Sequence, residues 1–100
     1  MSREQQMAAL ALAQHRRLDA AQLRRELTAG KLTPAQAVAD PRSISCSVSR
    51  FLKAIPRFGP QRSGNAMRWL GVTDPMRKVG ELSERQRALL ADVEREIGKH

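Results

Sequence analysis

The sequence predicts an all-α fold: a long N-terminal helix leading into a compact helical module, about five helices in one domain of residues 1–100. Three observations carry this. Helix-start signals recur along the chain, and neither Gly nor Pro interrupts residues 2–29. Only one short segment, residues 43–49, alternates in the manner of a strand, and it has no second strand to pair with. One hundred residues, 41% of them hydrophobic, suffice for one modest core. With only Phe51, Phe58 and Trp69 as aromatics, that core rests on Leu, Ala, Ile, Val and Met.

Ser2-Arg3-Glu4-Gln5 has the form of a capping box, Ser2 capping and Gln5 reaching back. The helical pattern runs from there to Ala29, and Gly30 ends it. About 28 residues at 1.5 Å each make roughly 40 Å of helix, enough to protrude from or cross a domain of this size. Met7, Leu10, Ala11, Leu18, Ala21, Leu23 and Leu27 form a broad apolar stripe; Arg17 and Arg24 share one line of the helix, flanked by Arg16 and Arg25. The module occupies residues 33–97. Thr33 as cap, Pro34 in the first turn and Gln36 three residues after the cap start a second helix. It stops before Asp40-Pro41, because the residue preceding proline avoids helical geometry. Ile44, Val48, Phe51 or Leu52, and Ile55 fit one helical face, so a third helix is expected to start between Ser45 and Ser47 and to stop at Pro56.

The chain then turns through Arg57-Phe58-Gly59 within a hairpin at 56–60. A fourth helix starts at Pro60 or Gln61 and ends at Leu70-Gly71. Ser63 and Ala66 are small enough for close helix approach. Phe58 and Trp69 are expected in the core, since so few aromatics make no base-stacking platform. Thr73-Asp74-Pro75 is a turn and Met76 to Gly80 a basic linker. Ser83-Glu84-Arg85-Gln86, another capping box, opens a last helix to about Ile97 with the apolar face Leu89, Leu90, Val93 and Ile97.

Charge is unevenly spread. Residues 41–80 hold eight basic side chains (Arg42, Arg50, Lys53, Arg57, Arg62, Arg68, Arg77, Lys78) and one acid, Asp74, giving +7 of the chain's net +8. A pI near 11.3 implies a polyanionic partner, nucleic acid or an acidic membrane surface. Arginine outnumbers lysine 14 to 4; its planar fork suits bidentate phosphate contact, although a high-GC genome would give the same ratio. A helix start carries unpaired N–H groups and partial positive charge, so the turn at 56–60 is suited to a phosphate. Pro60 removes one donor there, leaving Gly59, Gln61, Arg62 and Ser63 as the cradle. Lys53, Arg57, Arg68 and Arg87 add charge, and Arg77 and Lys78 are placed to reach a sugar-phosphate backbone or enter a minor groove. Arg16, Arg17, Arg24 and Arg25 are weaker candidates, because Asp19 and Glu26 are close enough in sequence to neutralise part of that face.

Enzyme signals are absent. His15 and His100 are far apart, there is no tyrosine nucleophile, and no carboxylates pair in an apolar setting. Lys53 lacks the acidic partner that a lyase lysine would need. The single Cys46 excludes an intramolecular disulfide and a cysteine-cluster metal site, and points to the cytosol. No apolar run approaches a membrane span and the N-terminus has no signal-peptide layout. A cytoplasmic protein without cofactor or metal is expected.

Taken in order, Val48 to Gly59, Met67 to Gly71, the basic linker to Gly80 and Arg85-Gln86-Arg87-Ala88-Leu89-Leu90 resemble the actinobacterial type of integration host factor, a small nucleoid-associated protein. The Ala-rich first helix and Gly30-Lys31-Leu32-Thr33 fit as well. The resemblance implies a long helix leading into a helix–two-turns–helix module that binds duplex DNA through its backbone, with little sequence preference, and bends or compacts it. By position it implies that Gly59, Gln61, Arg62 and Ser63 cradle phosphate and that Arg77 and Lys78 stand in the family's basic run. A monomer at the nucleoid is expected. Two departures imply weaker or differently placed contacts: Pro60 stands where the family usually has lysine, and Gly80-Glu81-Leu82-Ser83 where it has Gly-Leu-Gly. A structured-RNA binder, or a protein-interaction adaptor built on the long helix, are the competing expectations.

Overall fold

A computed structural model of the chain describes residues 3–97; Ser2, the Gln5 side chain and His100, and with them the first capping box, lie outside the described residues. The long helix α1 is Arg3–Thr28, 26 residues and about 39 Å. It gives the molecule its 53 Å long axis against 27 and 22 Å across. Only its C-terminal half enters the core: Ala20, Leu23 and Leu27 are buried, whereas Met7, Leu10, Leu12 and Leu18 stay largely exposed. Thr28 Oγ1 donates to the Ala54 carbonyl at 2.7 Å and fixes that end against the module.

Helix α2, Pro34–Ala39, starts as expected. Gln36 N–H donates to Thr33 Oγ1 and Thr33 N–H to Gln36 Oε1, closing the capping box. A 3-10 turn follows at Pro41–Ser45, an element that the sequence pattern did not suggest. The Asp40 carboxylate caps it by accepting from Arg42 N–H. That turn corrects one expectation: Ile44 is 58% exposed, and Ser43 is buried instead, its hydroxyl donating to the Asp40 carbonyl. Three residues per turn, rather than 3.6, rotate position 44 off the face that continues into the next helix.

Helix α3, Val48–Ala54, is capped by Ser47 and is the centre of the fold. Val48, Phe51 and Leu52 are fully buried, with Ile55 just beyond at 2% exposure. Each large apolar side chain so buried contributes about 1.5–3 kcal/mol, so a seven-residue helix is held by packing rather than by propensity. Helix α4, Pro60–Leu70, lays Ser63, Ala66 and Leu70 inward, and the small Ser63 and Ala66 let it approach α3. It ends at Gly71, whose left-handed φ of 76° lets Val72 N–H return to the Met67 carbonyl.

The last helix is two. Helix α5, Glu84–Ala91, starts on the Ser83–Gln86 capping box, and α6 is Val93–Ile97. Asp92 (φ −98°, ψ 4°) leaves helical geometry between them, which corrects the expected unbroken helix. Leu90 and Val93 are nevertheless both buried, because the break preserves the side on which they lie. Gln86 Nε2 donates to the Leu70 carbonyl and ties α5 to the end of α4.

The basic linker is held down. Val48 N–H donates to the Arg77 carbonyl at 2.8 Å and Val79 N–H to the Cys46 carbonyl at 2.9 Å, a single antiparallel bridge between Ser47 and Lys78. The alternating segment 43–49 therefore does pair once, with the linker. Gly80 allows the approach: a Cβ there would lie 2.6 Å from Ile44 Cγ2 and 2.9 Å from the Ile44 carbonyl oxygen. Arg42, in turn, bridges Asp40 and Glu26, joining the 3-10 turn to α1.

Candidate nucleic-acid interface

The hairpin between α3 and α4 begins as a type II turn. Phe58 N–H donates to the Ile55 carbonyl at 3.1 Å, Pro56 occupies the second position, and Arg57, third, has a φ of +69°. That position favours glycine, and among the described residues Arg57 alone combines a side chain with positive φ. Its side chain is exposed, so no packing recovers the strain of about 1–2 kcal/mol. Sequence reading missed this, because Pro-Arg carries no left-handed signature. One of the Arg62 guanidinium nitrogens donates to the Arg57 carbonyl at 3.3 Å across the turn.

Helices α2, α3 and α5 each begin on a hydroxyl cap (Thr33, Ser47, Ser83), whereas α4 begins at Gly59 with no side chain capping it. Gly59, Pro60 and Gln61 are exposed. Ser63 is set deeper: its N–H donates to the Gly59 carbonyl at 3.0 Å, and its buried hydroxyl has no hydrogen-bond partner. The first turn thus presents partial positive charge to solvent, with Arg57 and Arg62 beside it.

Of the other expected contact residues, Arg68 sits in the last turn of α4, about 12 Å from its start. Arg87 is half-buried on α5. Arg77 and Lys78 are exposed on the linker, where Arg77 Nη2 donates to the Glu81 carbonyl and Lys78 N–H to Glu81 Oε1. Lys53 and Lys78 line two separate hollows along α1, Lys53 with Thr28 and Ala54 and Lys78 with Ser45 and Met76, each in company with Arg24 and Arg50.

That company was underrated from sequence. Among the described contacts neither acid forms an ion pair with an α1 arginine: Glu26 is engaged by Arg42, and the Asp19 carboxylate lies 3.8 Å from His15, although Asp19 shares a hollow with Arg16 and Glu26 one with Arg25. The available signal was the three-residue spacing of Arg50 and Lys53 and the seven-residue spacing of Arg17 and Arg24, each placing charges along one helix line. Cys46 is buried, 1% exposed, with Arg24 Nη1 3.8 Å from its sulfur. Burial pushes the thiol pKa up, and the Arg24 hydrogen bond opposes this. Among the described residues no group of His, Cys, Asp and Glu is placed to hold a metal ion, and no helix is long and apolar enough to cross a membrane.

No protein-family profile matches the chain, and no curated protein sequence does. A solved structure does: sIHF bound to an 8 bp palindromic DNA, with a TM-score of 0.68 and 24% identity, covering 88% of this chain and 99% of that one. The all-α arrangement of a long helix and a helical module is thus the fold of an integration host factor solved on DNA, and this chain folds as sIHF does.

Proposed function

We propose that this protein is a non-enzymatic architectural protein of the bacterial nucleoid type, which binds duplex DNA through its phosphate backbone with little sequence preference and bends or compacts it. The observation that carries the reading is the uncapped, exposed start of α4, flanked by Arg57 and Arg62, on a fold shared with a protein solved on DNA. An anion at that helix start replaces the missing cap, with Gly59, Gln61, Arg62 and Ser63 around it. Lys53, Arg68, Arg77, Lys78 and Arg87 supply the remaining charge, and Arg77 and Lys78 reach the adjacent backbone or the minor groove. Binding is driven by counterion release, and DNA deformability sets whatever preference exists. The protein acts as a monomer in the cytoplasm and needs no cofactor.

Fluorescence polarisation with two unrelated duplexes of about 25 base pairs and one RNA duplex tests this. Five to six phosphate contacts give a log–log salt slope near −5, at about −0.9 per contact. Arg77→Ala with Lys78→Ala weakens both DNA duplexes alike without unfolding the domain; sequence-selective loss, or tighter binding to RNA, overturns the reading. A second reading, a protein-interaction adaptor, is favoured by the exposure of Met7, Leu10, Leu12 and Leu18 on α1. It predicts that DNA affinity vanishes at physiological salt while α1 captures a protein partner.

A further inference from the structure

The linker that carries Arg77 and Lys78 is basic only in its middle. Residues 74–81 read Asp-Pro-Met-Arg-Lys-Val-Gly-Glu, two cations between two acids, so the segment as a whole has no net charge. Asp74, Arg77, Lys78 and Glu81 are all exposed. An exposed acid beside a cation is ordinarily a mobile side chain whose charge solvent and salt screen. These two are held in place. Asp74 Oδ1 accepts from Met76 N–H at 2.9 Å, and Glu81 Oε1 accepts from Lys78 N–H at 2.9 Å.

The backbone around them is fixed as well. Arg77 N–H donates to the Asp74 carbonyl at 3.1 Å, and Arg77 Nη2 donates to the Glu81 carbonyl at 3.2 Å. The 3-10 turn Val79–Glu81 brings position 81 back over position 78. Val79 and Leu82, both buried, anchor that turn at its two ends. At about 2 Å of rise per residue, positions 78 and 81 stand about 6 Å apart, and the turn from Asp74 to Arg77 spans less than about 7 Å. Both separations are shorter than the Debye length of about 8 Å at physiological salt. Among the described residues neither carboxylate forms an ion pair. Their negative charge is therefore placed beside the two cations without being cancelled by them.

A phosphate drawn to Arg77 and Lys78 meets that charge at the same spot. We propose that Asp74 and Glu81 limit and orient duplex binding at the linker: two fixed carboxylates admit a phosphate only where it reaches Arg77 and Lys78 while staying clear of both acids. This rests on the duplex-DNA reading above and adds to it a built-in repulsive element, of the kind that turns attraction into selection of one geometry. A linker of zero net charge adds little long-range pull, so contact there follows docking at the hairpin instead of leading it.

The test is fluorescence polarisation of the full chain against two unrelated duplexes, at about 50 and about 200 mM salt. Asp74→Asn and Glu81→Gln each keep an oxygen that accepts the linker N–H and remove only the charge. Each is expected to tighten both duplexes about threefold at the lower salt, and the two together about tenfold, with a smaller gain at the higher salt. Glu94→Gln on α6 makes the same change in net charge outside the linker and is expected to tighten binding less than about twofold. In a chain already carrying Arg77→Ala and Lys78→Ala, the gains from Asp74→Asn and Glu81→Gln are expected to fall to that level, because nothing then draws a phosphate to the linker. Circular dichroism checks each fold, and Asp74→Ser, whose hydroxyl also accepts an N–H, replaces Asp74→Asn if that variant unfolds. Gains no larger than that of Glu94→Gln overturn the proposal while leaving the DNA reading intact. So do gains that persist in full without Arg77 and Lys78, which reduce the two acids to bulk charge. If neither the wild type nor the charge-removed variants bind a duplex at about 50 mM salt, the DNA reading falls and this proposal with it.

Discussion

Replacing Arg57 by glycine and, separately, by alanine isolates the strain in the hairpin. Both changes remove the same exposed guanidinium and leave the Arg57 carbonyl that accepts from Arg62. They differ only in the backbone. At φ +69° a residue with a Cβ carries about 1–2 kcal/mol of strain that glycine does not. Glycine gives back about 0.5–1 kcal/mol through its larger loss of chain freedom on folding. From the middle of both ranges the net preference for glycine is about 0.75 kcal/mol. For a domain of this size that is an increase in Tm of about 3–6 °C for Arg57→Gly over Arg57→Ala. Urea denaturation gives the same comparison without heating. Duplex affinity is expected to fall equally in the two variants, with the salt slope shallower by about 0.9. An alanine variant as stable as the glycine variant refutes the strained turn. Wild-type affinity in both refutes the contact.

Other perturbations follow the same logic. Gly80→Ala forces a Cβ against Ile44 backbone and side chain and is expected to cost about 1–3 kcal/mol in urea denaturation; adding Ile44→Ala restores only part, because the 2.9 Å contact to the carbonyl oxygen remains. The Asp40 pKa is lowered, chiefly by the Arg42 hydrogen bond. Its contribution to stability is therefore present above pH ~4 and lost as pH falls through the lowered value, so Tm of the wild type is expected to drop on acidification more than that of Asp40→Asn. Cys46 is expected to resist an aromatic disulfide reagent in the native state and to react fully in denaturant; its raised pKa places a loss of stability above pH ~9, where the unfolded thiol ionises and the buried one does not. Phe51→Ala empties the centre of the core and is expected to cost about 3–5 kcal/mol, enough to unfold much of the population at 37 °C.

Helix starts were legible wherever a side chain does the capping. Thr33, Ser47 and Ser83 each accept from the N–H three residues on, a bond that depends on nothing distant in the chain. The hairpin was legible too, from Pro56, Gly59 and Pro60, whose backbone restrictions are local. What escaped depends on tertiary contact. The 3-10 turn at Pro41–Ser45 is held by Arg42 reaching Glu26 on α1, sixteen residues away. Asp92 splits the last helix although Leu89, Leu90, Val93 and Ile97 keep helical spacing across it. The basic linker reads as free chain, yet its backbone bonds to residues 46 and 48 fix it. For the candidate site, the charges were visible but their grouping was not: Arg24 and Arg50 are 26 residues apart and meet only because α1 and α3 pack side by side.

The uneven seating of α1 has a consequence for how the molecule opens. Its backbone amides from residue 20 onward belong to a segment anchored in the core by Ala20, Leu23 and Leu27, so they are expected to exchange with solvent deuterium far more slowly than the rest of the helix. Those near Met7 and Leu10 lie on a part of the helix with exposed side chains, and they exchange by local fraying at little cost. One continuous helix of 26 residues therefore carries two stabilities, with the boundary near Asp19. A chain shortened to begin a few residues before that point is expected to lose ellipticity in proportion to the residues removed while melting at the same temperature.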